Sequence, residues 1–219
     1  ESYVFHKKFV TRKEFKDQSA LVLGGSRGLG EVTCKLLVAG NAKVIATYTN
    51  GEKDAKRIRD EIFLNGGNIK YIECDVLDKN KFMMNEVIKN ANITHLYYFP
   101  TPYIFSGASG LFSDKLFFEF CKYYVTELFE IVDQFANNKL TRVLYPSSIA
   151  IEENPLNMAE YTAAKSAGET ICKMLEKKYP DLIIYKPRLP RMSTDQTVTV
   201  LPVNNEHSSY VMLDHLRKI

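Results

Sequence analysis

The sequence lacks a dominant charge: 29 Lys and Arg face 26 Asp and Glu over 219 residues, a formal net charge of +3. That excludes a nucleic-acid binder working through bulk charge, which needs a basic surplus turned toward the phosphates. Paired cysteines are lacking as well. Cys34, Cys74, Cys121 and Cys172 lie far apart with no C-x-x-C pair, and His6, His95, His207 and His215 show no metal-ligand spacing. Neither a metal site nor a disulfide framework is therefore expected, and free thiols in a reducing, cytoplasmic setting are. No apolar run approaches the ~18 residues that cross a bilayer, and no basic-then-apolar leader opens the chain, so a soluble protein without a membrane partner is expected. The first residue is Glu1 rather than Met, and a processed chain, or one domain of a longer multidomain chain, is the expectation.

What is present is ordinary globular composition, 45% hydrophobic and 25% charged with 11 Gly and 8 Pro, arranged as short apolar runs alternating with helical stretches. Strands are expected at Ser19–Leu23, Lys43–Tyr48, Ile69–Cys74, Thr94–Phe99, Arg142–Tyr145 and Leu182–Tyr185. Helices are expected at Leu29–Ala39, Glu52–Asn65, Lys79–Asn90, Phe112–Asn137 and Met158–Tyr179, with a short one near Ser209–Lys218. Each connection is long enough for a crossover, so the pattern predicts an α/β fold: one doubly wound, Rossmann-like parallel sheet in a single domain over 19–219. Residues 1–18 carry Lys7, Lys8, Arg12, Lys13 and Lys16 and read as a solvated lead-in or linker. Beyond Thr197 the apolar alternation of Val198, Val200 and Pro202 is noted.

After the first strand comes Gly24-Gly25-Ser26-Arg27-Gly28-Leu29-Gly30, opening a helix. Glycine allows the positive φ of a tight turn and removes the Cβ that would block a pyrophosphate, while N–H groups at the helix start face the anion. Dinucleotide folds often place an acid ~20 residues further on for the ribose 2′-hydroxyl. Here the second strand ends in Thr47-Tyr48-Thr49-Asn50, without a carboxylate. Arg27, Thr49 and Lys53 are expected to hold a 2′-phosphate instead, since guanidinium pairs with phosphate in bidentate fashion. NADP(H) is thus favoured over NAD(H).

Further on, Ser147-Ser148 ends the fifth strand, and Tyr161 and Lys165 follow at i and i+4 on one helix face. An ammonium beside a phenol favours phenolate, so Tyr161 is expected to ionise below the ordinary ~10 and to exchange a proton with a carbonyl or alcohol oxygen. Ser148 can hydrogen-bond the same oxygen.

With these residues in place the sequence resembles the short-chain dehydrogenase/reductase family, over roughly Ser19 to Thr199. The family's glycine motif matches Gly24, Gly28 and Gly30, and its Ser-Tyr-Lys set matches Ser148, Tyr161 and Lys165. Its adenine-contacting Asp matches Asp75 in Cys74-Asp75-Val76. The resemblance implies a Tyr general acid/base, a Lys that also binds the nicotinamide ribose, and a Ser that orients the substrate oxygen. By the same resemblance Ser26, Leu29, Tyr48, Val76 and Pro187 join the cofactor contacts, and the long helices make a homo-oligomer. Three features depart from the pattern. Tyr97-Tyr98-Phe99-Pro100-Thr101-Pro102 replaces the Asn-Asn-Ala-Gly loop, the Asn expected near Cys121 to Tyr124 is absent, and Pro187-Arg188 replaces Pro-Gly. Neither the usual last strand nor its glycine-rich end is evident.

The leading expectation is an NADPH-dependent carbonyl reductase acting on a small molecule or an acyl group, with a 3-oxoacyl substrate suggested by likeness to ketoacyl reductases. The alternatives are a cofactor-binding module without turnover, such as a sensor or scaffold, and a sugar-nucleotide-modifying reductase, suggested by Tyr145-Pro146-Ser147-Ser148. Arg188 and Arg191 are open between an acidic ligand and solvent. The aromatics Phe112, Phe117, Phe118, Phe120, Tyr123, Tyr124 and Phe129 are read as core or subunit contact, and Glu152-Glu153 as loop charge.

Overall fold

In the computed structural model, which describes residues 1–78, 82, 85–192 and 207–219, strand and helix alternate as expected. The strands are β1 (Ser19–Leu23), β2 (Lys43–Tyr48), β3 (Lys70–Glu73), β4 (His95–Tyr98), β5 (Arg142–Leu144), β6 (Ser147–Ser148), β7 (Ile183–Tyr185) and β8 (Arg188–Leu189). The helices are α1 (Tyr3–His6), α2 (Gly28–Ala39), α3 (Glu52–Leu64), α4 (Glu86–Lys89), α5 (Asp114–Cys121), α6 (Leu128–Ala136), α7 (Ala150–Glu153), α8 (Ala159–Lys178) and α9 (Ser208–Leu216). A π-helical turn over Lys122–Glu127 joins α5 to α6, so the single helix expected over 112–137 carries a bulge in its middle. Of the helix expected from Lys79, Glu86–Lys89 is seen. The alternation at Val198, Val200 and Pro202 lies outside the described residues.

The main sheet has the order β3-β2-β1-β4-β5-β7, and its neighbours pair in parallel. Side chains alternate across it. Leu21 and Leu23 of β1 enter the core on one face with Leu96, Tyr98 and Val143. Ala20 and Val22 enter the other face with Tyr97 and Leu144. Pro146 and Pro187 have no N–H to offer the ladder, and there the edge of the sheet breaks. β6 and β8 resume the pairing beyond them, with Ser147 N–H donating to the Pro187 carbonyl (2.9 Å) and Ile149 N–H to Leu189 (3.0 Å). The break carries Ser148 just past the end of the sheet.

Residues 1–18 are not the solvated lead-in expected of them. Tyr3, His6, Val10 and Phe15 are buried, and the segment packs on α2 beside Met212, Leu213 and Leu216 of α9. His6 Nε2 meets the Ser209 hydroxyl at 2.9 Å. Beside them Lys35 is buried yet fully engaged, with Nζ 2.8 Å from Glu31, 2.9 Å from Glu61 and donating to the Glu1 carbonyl at 2.6 Å. The basic residues noted in this stretch lie on its outer side, and they conceal an apolar stripe. Among the described residues no helix is long and apolar enough to cross a membrane, and no group of three or more His, Cys, Asp or Glu is placed to hold a metal. All four cysteines are free thiols.

Candidate active site

The residues singled out in the sequence for binding or chemistry gather at or beyond the C-terminal ends of the strands, where open α/β sheets bind their ligands. The glycine turn leaves β1. Gly24 has φ +72°, and a Cβ there would lie 3.3 Å from the Phe99 backbone. Gly28 has φ +51°. A Cβ on Gly30 would lie 2.1 Å from the Gly24 carbonyl oxygen, so α2 reaches the turn only because that position has no side chain. The turn is held from β2: Gly24 N–H donates to Thr47 Oγ1 (3.3 Å) and Gly25 N–H to the Thr47 carbonyl (2.8 Å). Behind it the Tyr71 hydroxyl donates to the Gly25 carbonyl at 2.9 Å. No side chain caps the N-terminus of α2, which leaves first-turn N–H groups and a shallow glycine cradle for an anion. These residues fit a dinucleotide pyrophosphate.

The region expected to take a 2′-phosphate differs from the reading of β2 alone. Thr49 is exposed, but Arg27 is already engaged, its Nε donating to Asp54 Oδ2 at 2.7 Å. A carboxylate is thus present beside the glycine turn, on the first turn of α3, where it pairs with Arg27. Tyr48 ends β2 with its ring 6.4 Å from that of Tyr71. Asp75 follows β3, where Oδ1 accepts from Leu77 N–H at 2.9 Å, and Val76 is buried.

The second half of the site gathers around α8. Tyr161 is buried, and its ring packs edge-on against Phe120 and Tyr124 with centroids 5.6 and 5.8 Å away. Burial raises its phenol above the ordinary 10.0, and a hydrogen bond with Ser148 draws it partly back. Ser148 Oγ also accepts from Ala150 N–H at 3.2 Å. The structure therefore brings Tyr161 and Ser148 together, but it corrects the expectation that a neighbouring ammonium depresses the phenol. Lys165 Nζ lies 6.0 Å from the centre of the Tyr161 ring, donates to the Pro146 carbonyl (2.7 Å), and sits over the faces of Tyr124 (4.0 Å) and Tyr145 (4.6 Å). Burial pushes Lys165 down to about 7, so near neutral pH it is only partly a cation, and the burial of Tyr161 itself is what raises the phenol.

The two halves meet through the segment after β4. The Phe99 backbone lies against Gly24, and two residues on the Thr101 hydroxyl bonds the Tyr124 hydroxyl, whose ring covers Lys165. Sequence reasoning missed Thr101, Tyr124 and Thr47. The signal for Tyr124 is its place in the stretch of helix where the family pattern carries an Asn; nothing local marks Thr101. Arg188 is not free for an anion. It donates from Nε and Nη2 to Glu169 and from Nη1 to Glu152, each at 2.9 Å, while Glu169 also accepts from Ser147 Oγ at 2.6 Å. Glu152 and Glu153 accordingly close a helical turn rather than a loop, and the network pins β6 and β8 to α8. Arg191 lies over Phe105 at 6.0 Å. The aromatic run divides: Phe120 and Tyr124 are core, whereas Phe112 and Phe118 are exposed.

The buried Lys165 gives a pH prediction. Unfolded, it ionises near its ordinary 10.5; folded, near 7. Between these values the unfolded chain binds the extra proton, so this residue's penalty to folding is complete below about pH 7 and fades as pH rises toward 10.5. Lys165→Met should raise the melting temperature of the ligand-free protein most below about pH 7, with the gain shrinking through pH 8 and 9. A gain independent of pH, followed by circular dichroism melts, would contradict this origin.

Comparison with known proteins places the glycine half of the site in a family. Residues 18–95 match the model for short chain dehydrogenases. Over that stretch the chain is similar to the short-chain dehydrogenases. It is also 38% identical over 89 residues to the 3-oxoacyl-[acyl-carrier-protein] reductase FabG of Salmonella typhimurium, an alignment covering 36% of this chain and 36% of that one. The chain thus spans little more than a third of the length of such a curated relative. Solved structures superpose far more widely. BdcA in complex with NADPH has a TM-score of 0.78 at 22% identity, covering 93% of this chain and 88% of its own. The alcohol dehydrogenase of Thermococcus sibiricus, complexed with 5-hydroxy-NADP, gives 0.77 at 14% identity, covering 91% and 88%. These likenesses establish the fold, including the part that carries Ser148, Tyr161 and Lys165.

Proposed function

We propose that this protein is a short-chain dehydrogenase/reductase that binds NADP(H) in the Gly24–Gly30 cradle and reduces the carbonyl of a small molecule or acyl group to an alcohol. The observation that carries the reading is the meeting of Tyr161 and Ser148 beyond the sheet end, joined to the glycine turn by Phe99 and Thr101. Ser26, Arg27, Gly28 and Leu29 would hold the phosphates, Tyr48, Thr49, Asp75 and Val76 the adenosine, and Pro187 the nicotinamide. When bound, the cofactor supplies a hydride for the carbonyl carbon. The chain's own part is the oxygen: Ser148 Oγ donates a hydrogen bond to it, and Tyr161 gives it a proton as the C=O bond becomes C–O–H. Burial keeps the Tyr161 proton in place until a stronger base, the nascent alkoxide, forms beside it. Lys165 binds ribose hydroxyls when it turns from Pro146 and holds positive charge near the phenolate left behind. A 3-oxoacyl substrate is proposed from the likeness to the FabG relatives.

The inward seat of Lys165, under Tyr124 and Tyr145, favours a second reading, a module that binds the dinucleotide without turnover. The test is titration with NADPH and NADH by nicotinamide fluorescence, then addition of 3-oxoacyl and simple carbonyl compounds. NADPH binding with oxidation supports the reductase; binding without oxidation across the panel supports the module; no binding overturns both. We further propose that copies associate through the apolar surface of Leu111, Phe112, Phe118 and Leu156, all exposed. Sedimentation should then show a dimer or larger that Phe118→Glu converts to monomer, and a monomeric wild type would refute it.

A further inference from the structure

We propose that Asp54 is a specificity-determining residue: its carboxylate occupies the Arg27 guanidinium and competes with a ribose 2′-phosphate, weakening discrimination for NADPH over NADH. The inference rests on the cofactor reading above and deepens it.

The placement follows from the loop between β2 and α3. Gly51 is buried against the glycine turn, and a Cβ there would come 2.3 Å from Ser26 Oγ and 3.9 Å from Arg27 Nε. Because Gly51 allows that approach, the first turn of α3 begins beside the turn, and Asp54 falls within 2.7 Å of Arg27. An acid in the first turn of a helix is also favoured by the helix dipole, so Asp54 is held there by more than its pairing. Arg57 offers no substitute cation, because its guanidinium is paired with Glu31 at 3.2 and 2.9 Å.

Arg27 is the cation of the glycine turn to which the reading above assigns a 2′-phosphate, and its side chain is 59% exposed against 32% for Asp54. A phosphate arriving there meets a guanidinium with Nε already donated, and a carboxylate of like charge one hydrogen bond away. At such separations in a solvated setting, like-charge repulsion amounts to a weakening of roughly three- to tenfold in affinity. NADH carries a hydroxyl at that position and bears none of this penalty. The ratio of the two affinities, rather than either alone, therefore reports on Asp54.

The experiment is equilibrium titration of nicotinamide fluorescence with NADPH and with NADH, on the wild-type chain, Asp54→Asn, Asp54→Ser and Arg27→Ala. Both Asp54 variants should tighten NADPH about three- to tenfold while leaving NADH within about twofold, and Arg27→Ala should weaken NADPH alone. An unchanged ratio overturns the proposal. So does an equal shift of both affinities, which would mark a structural role, or weaker NADPH binding, which would mean that Asp54 orients Arg27 for the phosphate. If wild type binds neither dinucleotide, the cofactor reading falls and this inference with it; if both bind and the ratio does not move, this inference alone falls.

Discussion

Tyr161→Phe should lower turnover of a reducible carbonyl by about 10²- to 10⁴-fold, the range spanned by a positioned proton donor, while leaving NADPH affinity within about twofold. The separation follows from where the hydroxyl lies. The ring packs against Phe120 and Tyr124, and phenylalanine preserves that packing and the volume of the core. What disappears is one oxygen, which interacts with Ser148 and lies away from the glycine cradle. The Ser148 hydroxyl can still donate a hydrogen bond to the substrate oxygen, but it is a much weaker acid than a phenol, and the Tyr124 hydroxyl is bonded to Thr101. Melting temperature should move little, since the lost hydrogen bond contributes about 1 kcal/mol. Steady-state kinetics beside fluorescence titration decides the matter: undiminished turnover would remove Tyr161 from the chemistry, and equal loss of binding and turnover would make its role structural.

The parts of this architecture legible in the sequence are those whose signal is local. The apolar runs of β1 and β2, the glycine turn and the stripe Ala55, Ile58, Ile62 of α3 specify their own conformation, so their ends fall within a residue or two of expectation. Tyr161 and Lys165 share a helix face by spacing alone. That spacing does not reveal whether the ammonium is hydrated. Lys165 proves to be dry because Tyr124 and Tyr145, from two other elements, close over it. Arg27 and Asp54 stand 27 residues apart, and their pairing depends on how the chain returns from β2. The N-terminal stretch escapes sequence reading for a different reason. Tyr3, His6 and Val10 recur at helical spacing, but five basic residues in the same eighteen dominate its composition. Their apolar partners in α9 lie about two hundred residues away, beyond what any window can see.

The same distinction between local preference and tertiary contact bears on Gly30→Ala, expected to be among the most damaging single-methyl changes in the chain. By propensity alone, alanine in a helix should stabilise by about 1 kcal/mol relative to glycine. Here the new Cβ would stand 2.1 Å from the Gly24 oxygen, 2.9 Å from its carbon and 3.0 Å from Gly25 Cα. All three are backbone atoms, so no side chain can rotate out of the way, and α2 must move off the turn. Overpacking of this kind costs about 1–3 kcal/mol, enough to reverse the propensity gain, and it displaces the first-turn N–H groups from the cradle. Dinucleotide affinity should fall by at least about tenfold, with a lower melting temperature. Gly66→Ala provides the contrast. Gly66 has φ +80°, and a methyl added there would meet nothing within 4 Å, so that change should cost about 1 kcal/mol of backbone strain and leave binding untouched. Thermal melts and NADPH titrations of the two variants separate the explanations. If Gly30→Ala bound NADPH as wild type does, the close approach of α2 to the turn would not be what builds the phosphate site.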